Sequence, residues 1–572
     1  MEYSAIFHDM DKRFCYAIDK DLFVIRVQVK KDDMKEVILH YEDKYIPMER
    51  KDTRMTLPMK KVATSQFHDY YEAQLQMHLI CLRYFFEFTD MQGEKVYYGN
   101  YEFDRECITN RDRMFDCPQN LREEEMFEVP QWAANKVVYQ IFPSRFAATQ
   151  PVDKKLWYKA PITPMDDLHG NLRGIIEHLD DMKDLGIDVV YLTPIFRSNS
   201  CHKYDTIDYY QVDPSFGTTE DLKELVQKSH ERGMKVVLDA VYNHTGRDFF
   251  AFQDILEKGE KSKYLDWYFI DELPPKGEWG EIPNFKCFGY YGGMPKLNLK
   301  NPEVEKYITD VACYWIKECD IDGWRMDVGD EISHFFWKNF RRAIKAVKKD
   351  MLIIGEIWHY AGDFLEGDEW DTVMNYPFYL NLIDLLADEK IQVSQFVQNL
   401  GYLKGRLNKK CYPLMWNLID SHDTARFLHL CKDNKKKQHL AAAFQLLLPG
   451  MPMIYYGDEY AMPGANDPDC RRGMYWDEEY QDKEMYQWYK KLMQIRKTHA
   501  CIVEGEMIEI IANDDENTIV MIRKNGEETI AMLFNCGSSV KEFHAYAQKY
   551  NLLTDSAFDG KVDGFDAAVI VL

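Results

Sequence analysis

Hydrophobic and polar residues alternate with a period of two along the first part of the chain. The segments LFVIRVQVKK (22–31) and ICLRYFFEFTD (80–90) show this alternation, and the pair Asp32-Asp33 supplies a turn signal after the first of them. Alternation of this kind is typical of strands that bury one face. It predicts an independent β-sandwich over residues 1–125.

From residue 126 to residue 500 the pattern changes, because short apolar runs now alternate with helical stretches. The runs are VVYQIF, IDVVYLTPIF, MKVVLDAVYNH, GWRMDV, LIIGEIW, DTVMNY, PLMWNLID and MPMIYYGDE, and helices are predicted over 172–185, 219–232, 302–319 and 335–348. Eight strands with right-handed helical crossovers favour an α/β fold closed into a (β/α)8 or TIM barrel. A doubly wound open sheet is the alternative.

Two further regions interrupt and follow the predicted barrel. Residues 246–300, between the third strand and its helix, form a long connection rich in Tyr, Phe, Gly and Pro. Connections of this length are usually functional, so an inserted loop domain is predicted there. After a helix over 484–498, the strands IEIIA, TIVMIRK and TIAMLF predict a smaller C-terminal β-sandwich over 501–572.

Composition narrows the classes of partner. The 572 residues carry 71 Lys+Arg against 95 Asp+Glu, a net charge of −24, which would repel nucleic acid and anionic lipid. The most apolar stretch, 440–456, is interrupted by Pro449, Gly450 and Pro452, so it predicts a helix, a turn and a strand instead of a membrane span. The first residues do not resemble a signal peptide, and the 13 cysteines lack zinc-site spacing. We expect a soluble cytoplasmic protein with no bound metal.

Charged and polar residues follow the predicted barrel strands at the points where they end. They are Asp239, Asn243 and His244 after strand three, Arg325 and Asp327 after strand four, Glu356 after strand five, and His422 and Asp423 after strand seven. The carboxyl ends of parallel barrel strands meet at one mouth, so three carboxylates from different strands should converge there. Stability gives no reason for this arrangement, because crowded carboxylates oppose one another's ionisation.

Paired carboxylates are the groups that glycoside hydrolysis requires, one ionised and one protonated. Arg325 lies two residues before Asp327, on the same face of the strand, and is expected to keep that carboxylate ionised. Glu356 follows an apolar strand and precedes Trp358, so its pKa is expected to be raised for general-acid work.

Four ordered segments resemble the signature segments of the α-amylase family of glycoside hydrolases. They are DAVYNHTG (239–246), GWRMDVGDE (323–331), GEIW (355–358) and NLIDSHDTAR (417–426). MPKLN (294–298), with GEIWH and VMNYPF, resembles the neopullulanase, cyclomaltodextrinase and maltogenic-amylase branch. The N-terminal segments EYSAIFH and FCYAIDKDLFVIRVQVKKDD resemble the starch-binding-type module of that branch.

The resemblance implies a role for individual residues of this chain. Asp327 matches the nucleophile, Glu356 the general acid/base and Asp423 the carboxylate that stabilises the transition state. The implied substrate-binding residues are Tyr204, which stacks under the sugar, Asp467 and Arg471, which clamp its far side, and Arg325, His244 and His422. Asn243 and Trp358 are further substrate-binding candidates. Asp239 is expected to be a structural partner of Arg325. Trp358, Tyr376 and Phe288 are either platforms for neighbouring sugars or packing at the rim.

The implied function is retaining hydrolysis of α-1,4 bonds in cyclomaltodextrins, maltooligosaccharides and pullulan. A 4-α-glucanotransferase, an α-1,6-glucosidase and a non-catalytic glucan-binding protein are the alternatives. The branch also implies a homodimer formed through the N-terminal module. Members commonly bind calcium after the first barrel strand, but FAATQPVDK (146–154) lacks most of the oxygen ligands that this cation needs, so no calcium is expected. The run Val328–Glu331 differs from the V-A-N-E type run that is common in the branch. These positions face the leaving-group side, so the balance between hydrolysis and transfer to another sugar stays open.

Overall fold

The computed structural model describes residues 1–47, 54–76, 80–100, 102–118, 126–277 and 280–572. The chain forms two compact units. The first contains Met1–Val129, Ala361–Asp368 and Ser394–Tyr412, and the second contains Pro130–Tyr360, Glu369–Val393 and Pro413–Leu572. The predicted boundary at residue 125 falls in 119–125, outside the described residues, and the predicted domain limits stay predictions.

The first unit is built on two antiparallel sheets. One contains Cys15–Ala17, Leu22–Lys30, His68–Gln76 and Lys60–Thr64, and the other contains Met55–Pro58, Met34–Asp43, Cys81–Asp90, Lys95–Tyr98 and Phe103–Asp104, with Phe115–Pro118 paired to Cys81–Asp90. Alternate side chains of both sheets, such as Ile25, Val27, Phe86 and Phe88, form a single apolar cluster. The predicted N-terminal sandwich is therefore present.

Two of the later segments complete this first unit. Arg26, which is fully buried, donates through Nη1 to the carbonyl oxygens of Gly405 at 2.8 Å and Leu407 at 2.9 Å. The backbone of Thr64 approaches Gly401 so closely that a Cβ there would lie 1.9 Å from the Thr64 oxygen. The helix Val393–Arg406 is thus packed on the N-terminal sheet of the same unit.

Eight parallel strands form the central sheet of the second unit. They are β1 (Val138–Ile141), β2 (Val189–Leu192), β3 (Lys235–Ala240), β4 (Gly323–Met326), β5 (Leu352–Gly355), β6 (Thr372–Val373), β7 (Trp416–Leu418) and β8 (Met451–Tyr455). Their order is β6-β5-β4-β3-β2-β1-β8-β7. A parallel bridge between Met374 and Trp416 joins the two outer strands. The sheet closes on itself, which confirms the barrel and excludes the open sheet.

Helices follow most of the strands. They are Leu172–Glu177 and Leu179–Leu185 after β1, Thr219–Glu231 after β2, Pro302–Cys319 after β3, His334–Val347 after β4, Tyr376–Leu382 and Val393–Arg406 after β6, Lys435–Leu447 after β7, and Lys483–Thr498 after β8. The helix predicted over 172–185 is divided at His178, whose ring stacks on Trp476 with centroids 3.6 Å apart. Residues 356–371, all described, contain a 3-10 turn at Gly362–Phe364 and no α-helix, so the strict alternation fails after β5.

The region 246–300 and the C-terminal region also take defined structures. The helix Phe250–Lys258 begins the long connection, and a bridge between His244 and Lys296 returns its far end to the third strand. At the C-terminus, Glu506–Asn513, Thr518–Asn525, Glu528–Asn535, Asp566–Val571, Tyr550–Asn551 and Ser556–Ala557 form a six-stranded sheet. Among the described residues, no helix is both long and apolar enough to cross a membrane.

Candidate active site

Arg325 occupies the centre of the candidate site. It lies on β4 beside Asp239 of β3 in the strand register, and its side chain is fully buried. Its Nη1 donates to both carboxylate oxygens of Asp239 at 3.1 and 3.2 Å. Asp239 also accepts a hydrogen bond from Tyr191 at 2.7 Å. Asp239 is therefore the structural partner of Arg325 that the sequence predicts.

The three predicted catalytic carboxylates surround the same guanidinium group. Asp327 Oδ1 accepts from Nη1 at 2.8 Å, and Nη2 lies 3.0 Å from Glu356 Oε2 and 3.7 Å from Asp423 Oδ2. The contacts of Nη2 are ion pairs that lack hydrogen-bond geometry. Residues that are far apart in the chain thus lie around a single cation at the carboxyl ends of β4, β5 and β7.

The backbone after β4 fixes Glu356 relative to Asp327. Val328 has a left-handed conformation with φ of 48°, which is unusual for a β-branched residue. This conformation directs its N–H to Glu356 Oε2 at 2.9 Å. The ring of Trp370 packs against Gly329 and Gly355, where an added Cβ would lie 2.6 and 2.1 Å from ring atoms. Strain and close packing of this kind are found where a site must hold a fixed geometry.

Burial dominates the electrostatics of this cluster. It raises the pKa of Asp327 well above the ordinary aspartate value, and the charge of Glu356 adds to the effect, while Arg325 opposes it. Burial likewise raises the pKa of Asp239 to about 6. Arg325 acts in the direction that the sequence predicts, since its charge favours the ionised form of Asp327, but desolvation and the charge of Glu356 oppose it.

His422 and Tyr204 form one wall of the site. Their rings are stacked with centroids 5.5 Å apart, and the Tyr204 hydroxyl hydrogen-bonds to His422 Nε2 and donates to Asp239 at 3.0 Å. His422 Nε2 lies 3.2 Å from Asp423 Oδ1. Burial, followed by the charge of Arg471, lowers the pKa of His422 well below its ordinary value, so the imidazole is neutral.

The predicted Asp467/Arg471 pair lies next to Asp423. Arg471 Nη1 contacts Asp467 at 2.9 Å, and Nη2 lies 3.6 Å from Asp423 Oδ1. Arg471 Nε donates to the carbonyl oxygen of His422 at 2.8 Å. Asp467 and Arg471, which we call the clamp, are thus connected to the β7 end of the site.

Trp358 lies at the open side of Glu356. Its indole N–H donates to Glu356 Oε1 at 3.1 Å, and its ring stacks on Tyr376 with centroids 4.0 Å apart. Trp358 is 43% exposed, whereas Tyr376 is buried. Trp358 can therefore offer a ring face to a ligand, and Tyr376 supports it from behind.

Asn243 and His244 belong to a neighbouring cluster instead of contacting Arg325. Asn243 donates to Glu331 at 3.1 Å and accepts from Lys296, and Lys296 Nζ lies 3.3 Å from Glu331 Oε2. The buried ring of His244 stacks on Phe288 with centroids 5.1 Å apart. The sequence analysis singled out the segments MPKLN and GWRMDVGDE but did not name Lys296 and Glu331 within them as site residues. The signals that could have found them are a lysine in the long loop and a glutamate shortly after Asp327.

Two of the polar side chains in the stretch after β1 that could offer oxygen to a cation are bonded to protein donors. Asn171 donates through Nδ2 directly to Thr149 Oγ1 at 3.1 Å, and Asp153 caps the helix Lys154–Trp157 by accepting from the N–H of Lys155 at 2.8 Å. The absence of calcium at this stretch stays a prediction. Over the described part of the chain, no group of three or more His, Cys, Asp or Glu could hold a metal ion.

Comparisons with known proteins agree with this geometry. Residues 140–505 match the family model described as "Alpha amylase, catalytic domain", and residues 1–119 match "Alpha amylase, N-terminal ig-like domain". The chain is 41% identical to a cyclomaltodextrinase of Geobacillus thermopakistaniensis over 95% of this chain and 92% of the relative. It is 39% identical to neopullulanase 2 of Thermoactinomyces vulgaris, over 93% and 90% of the two chains.

A solved structure titled cyclomaltodextrinase extends this likeness to the fold. It superposes with a TM-score of 0.93 at 37% identity, covering 100% of both chains. The folds therefore correspond along the whole length, not only in the barrel. The chain belongs to the α-amylase family of glycoside hydrolases, in its cyclomaltodextrinase and neopullulanase branch.

Proposed function

We propose that the protein is a retaining hydrolase that cleaves α-1,4-glucosidic bonds in cyclomaltodextrins, maltooligosaccharides and pullulan. The observation that carries this proposal is the placement of Asp327 and Glu356, from adjacent strands, on the two terminal nitrogens of Arg325. Glycosidases that retain configuration need two carboxyl groups close together, one as nucleophile and one as acid.

The reaction proceeds in two displacements. Asp327 attacks the anomeric carbon and forms a glycosyl ester, while Glu356 gives its proton to the departing glucosidic oxygen. Glu356 then removes a proton from water, whose oxygen attacks the anomeric carbon and releases Asp327. Four carboxylates around Arg325 cannot all ionise without strong mutual repulsion, which favours a proton held on one of them at neutral pH.

The remaining residues bind the sugar at the cleavage point. Tyr204 offers its ring, and the clamp holds the hydroxyl groups opposite the reacting bond. His244 has a buried Nε2 atom with no hydrogen-bond partner, which supports its assignment as a donor to a sugar hydroxyl. Trp358, beside Glu356, and Phe288, stacked on His244, are both partly exposed and suit neighbouring glucose units.

A panel of cyclomaltodextrin, pullulan, soluble starch and maltotriose tests the substrate class. We expect the cyclic and short substrates to be cleaved faster than starch, with α-configured products at early times by NMR. Relatives named cyclomaltodextrinase and neopullulanase support this ranking. Longer oligosaccharides formed from maltotriose would favour the glucanotransferase, and binding without turnover would favour the glucan-binding protein. We also propose that calcium is not required, so the panel should give equal rates with a chelator present.

We infer further that the protein is a cytoplasmic homodimer formed through the N-terminal module. The likeness of residues 1–119 to the N-terminal domain of the family supports the dimer. A relative from Bacillus subtilis, 37% identical, is named intracellular maltogenic amylase, which supports the location. Gel filtration with light scattering on the full chain should give twice the 67.8 kDa of one chain. A monomer with the same substrate preference would contradict the dimer.

A further inference from the structure

A buried group of charges lies behind the clamp and takes no part in the proposed reaction. It consists of Arg426, Asp420 and Asp458, which we call the Arg426 cluster, and the three side chains are 0 to 1% exposed. Arg426 Nη1 donates to Asp458 Oδ1 at 2.9 Å and to the carbonyl oxygen of Tyr456 at 2.7 Å. A buried cation with this many partners holds the segments that supply them in one arrangement.

Arg426 connects the two segments that carry the clamp and its carboxylate. It follows Asp423 by three residues, and its backbone N–H donates to Gly464 at 3.0 Å. Its Nε donates to the carbonyl oxygen of Cys470 at 3.1 Å, immediately before Arg471. Arg426 therefore ties the end of β7 to the loop after β8, in addition to the bond from Arg471 to the carbonyl oxygen of His422.

The two acids of the cluster each bury one oxygen atom that has no N–H or hydroxyl partner. Asp420 Oδ2 accepts from the N–H of Phe427 at 2.7 Å, and Asp458 Oδ1 accepts from Arg426. The two carboxyl groups interact with each other, and their free oxygens, Asp420 Oδ1 and Asp458 Oδ2, are positioned to share a proton. Two carboxyl oxygens can bond in this way only when one carries a proton. The pair then has a single negative charge, which balances Arg426.

Other titratable groups also face the cluster. Glu459 and Tyr489 interact electrostatically with Asp458, and Tyr379 interacts in the same way with Asp420. The rings of Tyr455 and Tyr456 lie against Arg426, with centroids 4.0 and 5.0 Å from its Cζ. Glu459 is hydrogen-bonded separately to Tyr139 at 2.6 Å and to the N–H of Gly457 at 2.9 Å. None of these groups donates to the two oxygens that share the proton.

We propose that Arg426 is a positioning residue for the Asp467/Arg471 clamp, and that a proton shared by Asp420 and Asp458 keeps this cluster intact until a rise in pH removes it. The role of the clamp in sugar binding rests on the proposed function; the shared proton does not. Burial, with the charge of Asp420 adding to it, raises the pKa of Asp458 well above the usual value. An acid whose folded-state pKa is raised contributes stability at low pH that is lost as the pH rises through that value.

Asp458→Asn tests the shared proton. The amide can accept from Arg426 and donate to Asp420, as the protonated acid does, but it does not titrate. We expect the melting temperature to match the parent at neutral pH and to fall less steeply on the alkaline side. Asp371→Asn is the matched control, because Asp371 is equally buried but is paired with Arg341 and Lys345. The control should be destabilised at every pH and keep the parental alkaline slope.

An Asp458→Asn variant as destabilised at neutral pH as this control would show that both acids are ionised and would overturn the shared proton. An alkaline slope equal to that of the parent would overturn it as well. The melting experiment measures unfolding alone, so it tests the shared proton even if the panel of glucans shows no turnover.

Arg426→Lys tests positioning in the full chain, measured well below its melting temperature. We expect KM for maltotriose to rise about tenfold with a smaller change in kcat, because the clamp binds sugar and does not react. In a double-mutant cycle with Arg471→Lys, the double variant should be no worse than Arg471→Lys alone. Multiplying effects would show that Arg426 acts independently of the clamp and would overturn the proposal.

Discussion

Replacing Arg325 by lysine should lower kcat/KM for maltooligosaccharides by about 10²–10³-fold, a loss typical of removing preorganised charge from a reacting centre. The guanidinium reaches Asp239, Asp327, Glu356 and Asp423 together through two nitrogens. A lysine ammonium is a single point charge and cannot face all four carboxylates in the same way. The carboxylates left unpaired are expected to take up protons, so the ionised nucleophile is depleted.

The same substitution at Arg341 is a matched control. Arg341 is also buried, and it contacts Asp371 at 2.7 Å from the helix His334–Val347 that follows β4. Arg341→Lys should lower the melting temperature without changing kcat/KM at 25 °C. If the two variants lost activity equally, the effect at Arg325 would be one of general destabilisation, and its place at the centre of the chemistry would be wrong.

Changing Glu356 to glutamine should reduce kcat on maltotriose by about 10²–10⁴-fold, since general acid–base catalysis by one group contributes that much. The amide cannot supply a proton to the glucosidic oxygen. An aryl α-maltoside with an acidic phenol departs without protonation, so its first step should be nearly unaffected and should appear as a burst of phenol. Added azide should then restore turnover by replacing the activated water.

Trp358→Phe separates the acid itself from its surroundings. This substitution removes the N–H that reaches Glu356 Oε1 at 3.1 Å but keeps a ring against Tyr376. The expected loss is less than tenfold for both natural and aryl substrates.

If Glu356→Gln showed no burst and no response to azide, Glu356 would not be the acid/base, and the proposed two-step reaction would have to be abandoned.

The barrel and its carboxylates could be predicted because strand ends are visible in the sequence. The apolar runs of β4 and β5 stop directly at a charged residue, and parallel strands bring their carboxyl ends to one mouth. Asp327 and Glu356 directly follow β4 and β5, so their proximity could be predicted once the strands were counted correctly. The break at His178 was not predictable, because its partner Trp476 is far away in the chain.

Contacts across strands and conformations set by burial could not be predicted. The bond between Gln140 and His422, at 2.8 Å, joins β1 to the segment after β7 and has no local signature. A valine gives no signal of positive φ, yet Val328 takes that conformation. The direction in which the pKa of Asp327 shifts depends on desolvation and on the charge of nearby Glu356, and neither can be predicted from the sequence alone.

The discontinuous first unit has a consequence for biosynthesis. Arg26 is satisfied by the carbonyl groups of Gly405 and Leu407, which are translated almost 400 residues later. Because chains fold as they emerge from the ribosome, Arg26 has Glu72 as its partner inside the sandwich but lacks these two acceptors for Nη1 until six barrel strands have been made. A fragment that stops before Ser394–Tyr412 therefore lacks part of its own interior, and we expect it to be less stable than the same module in the full chain.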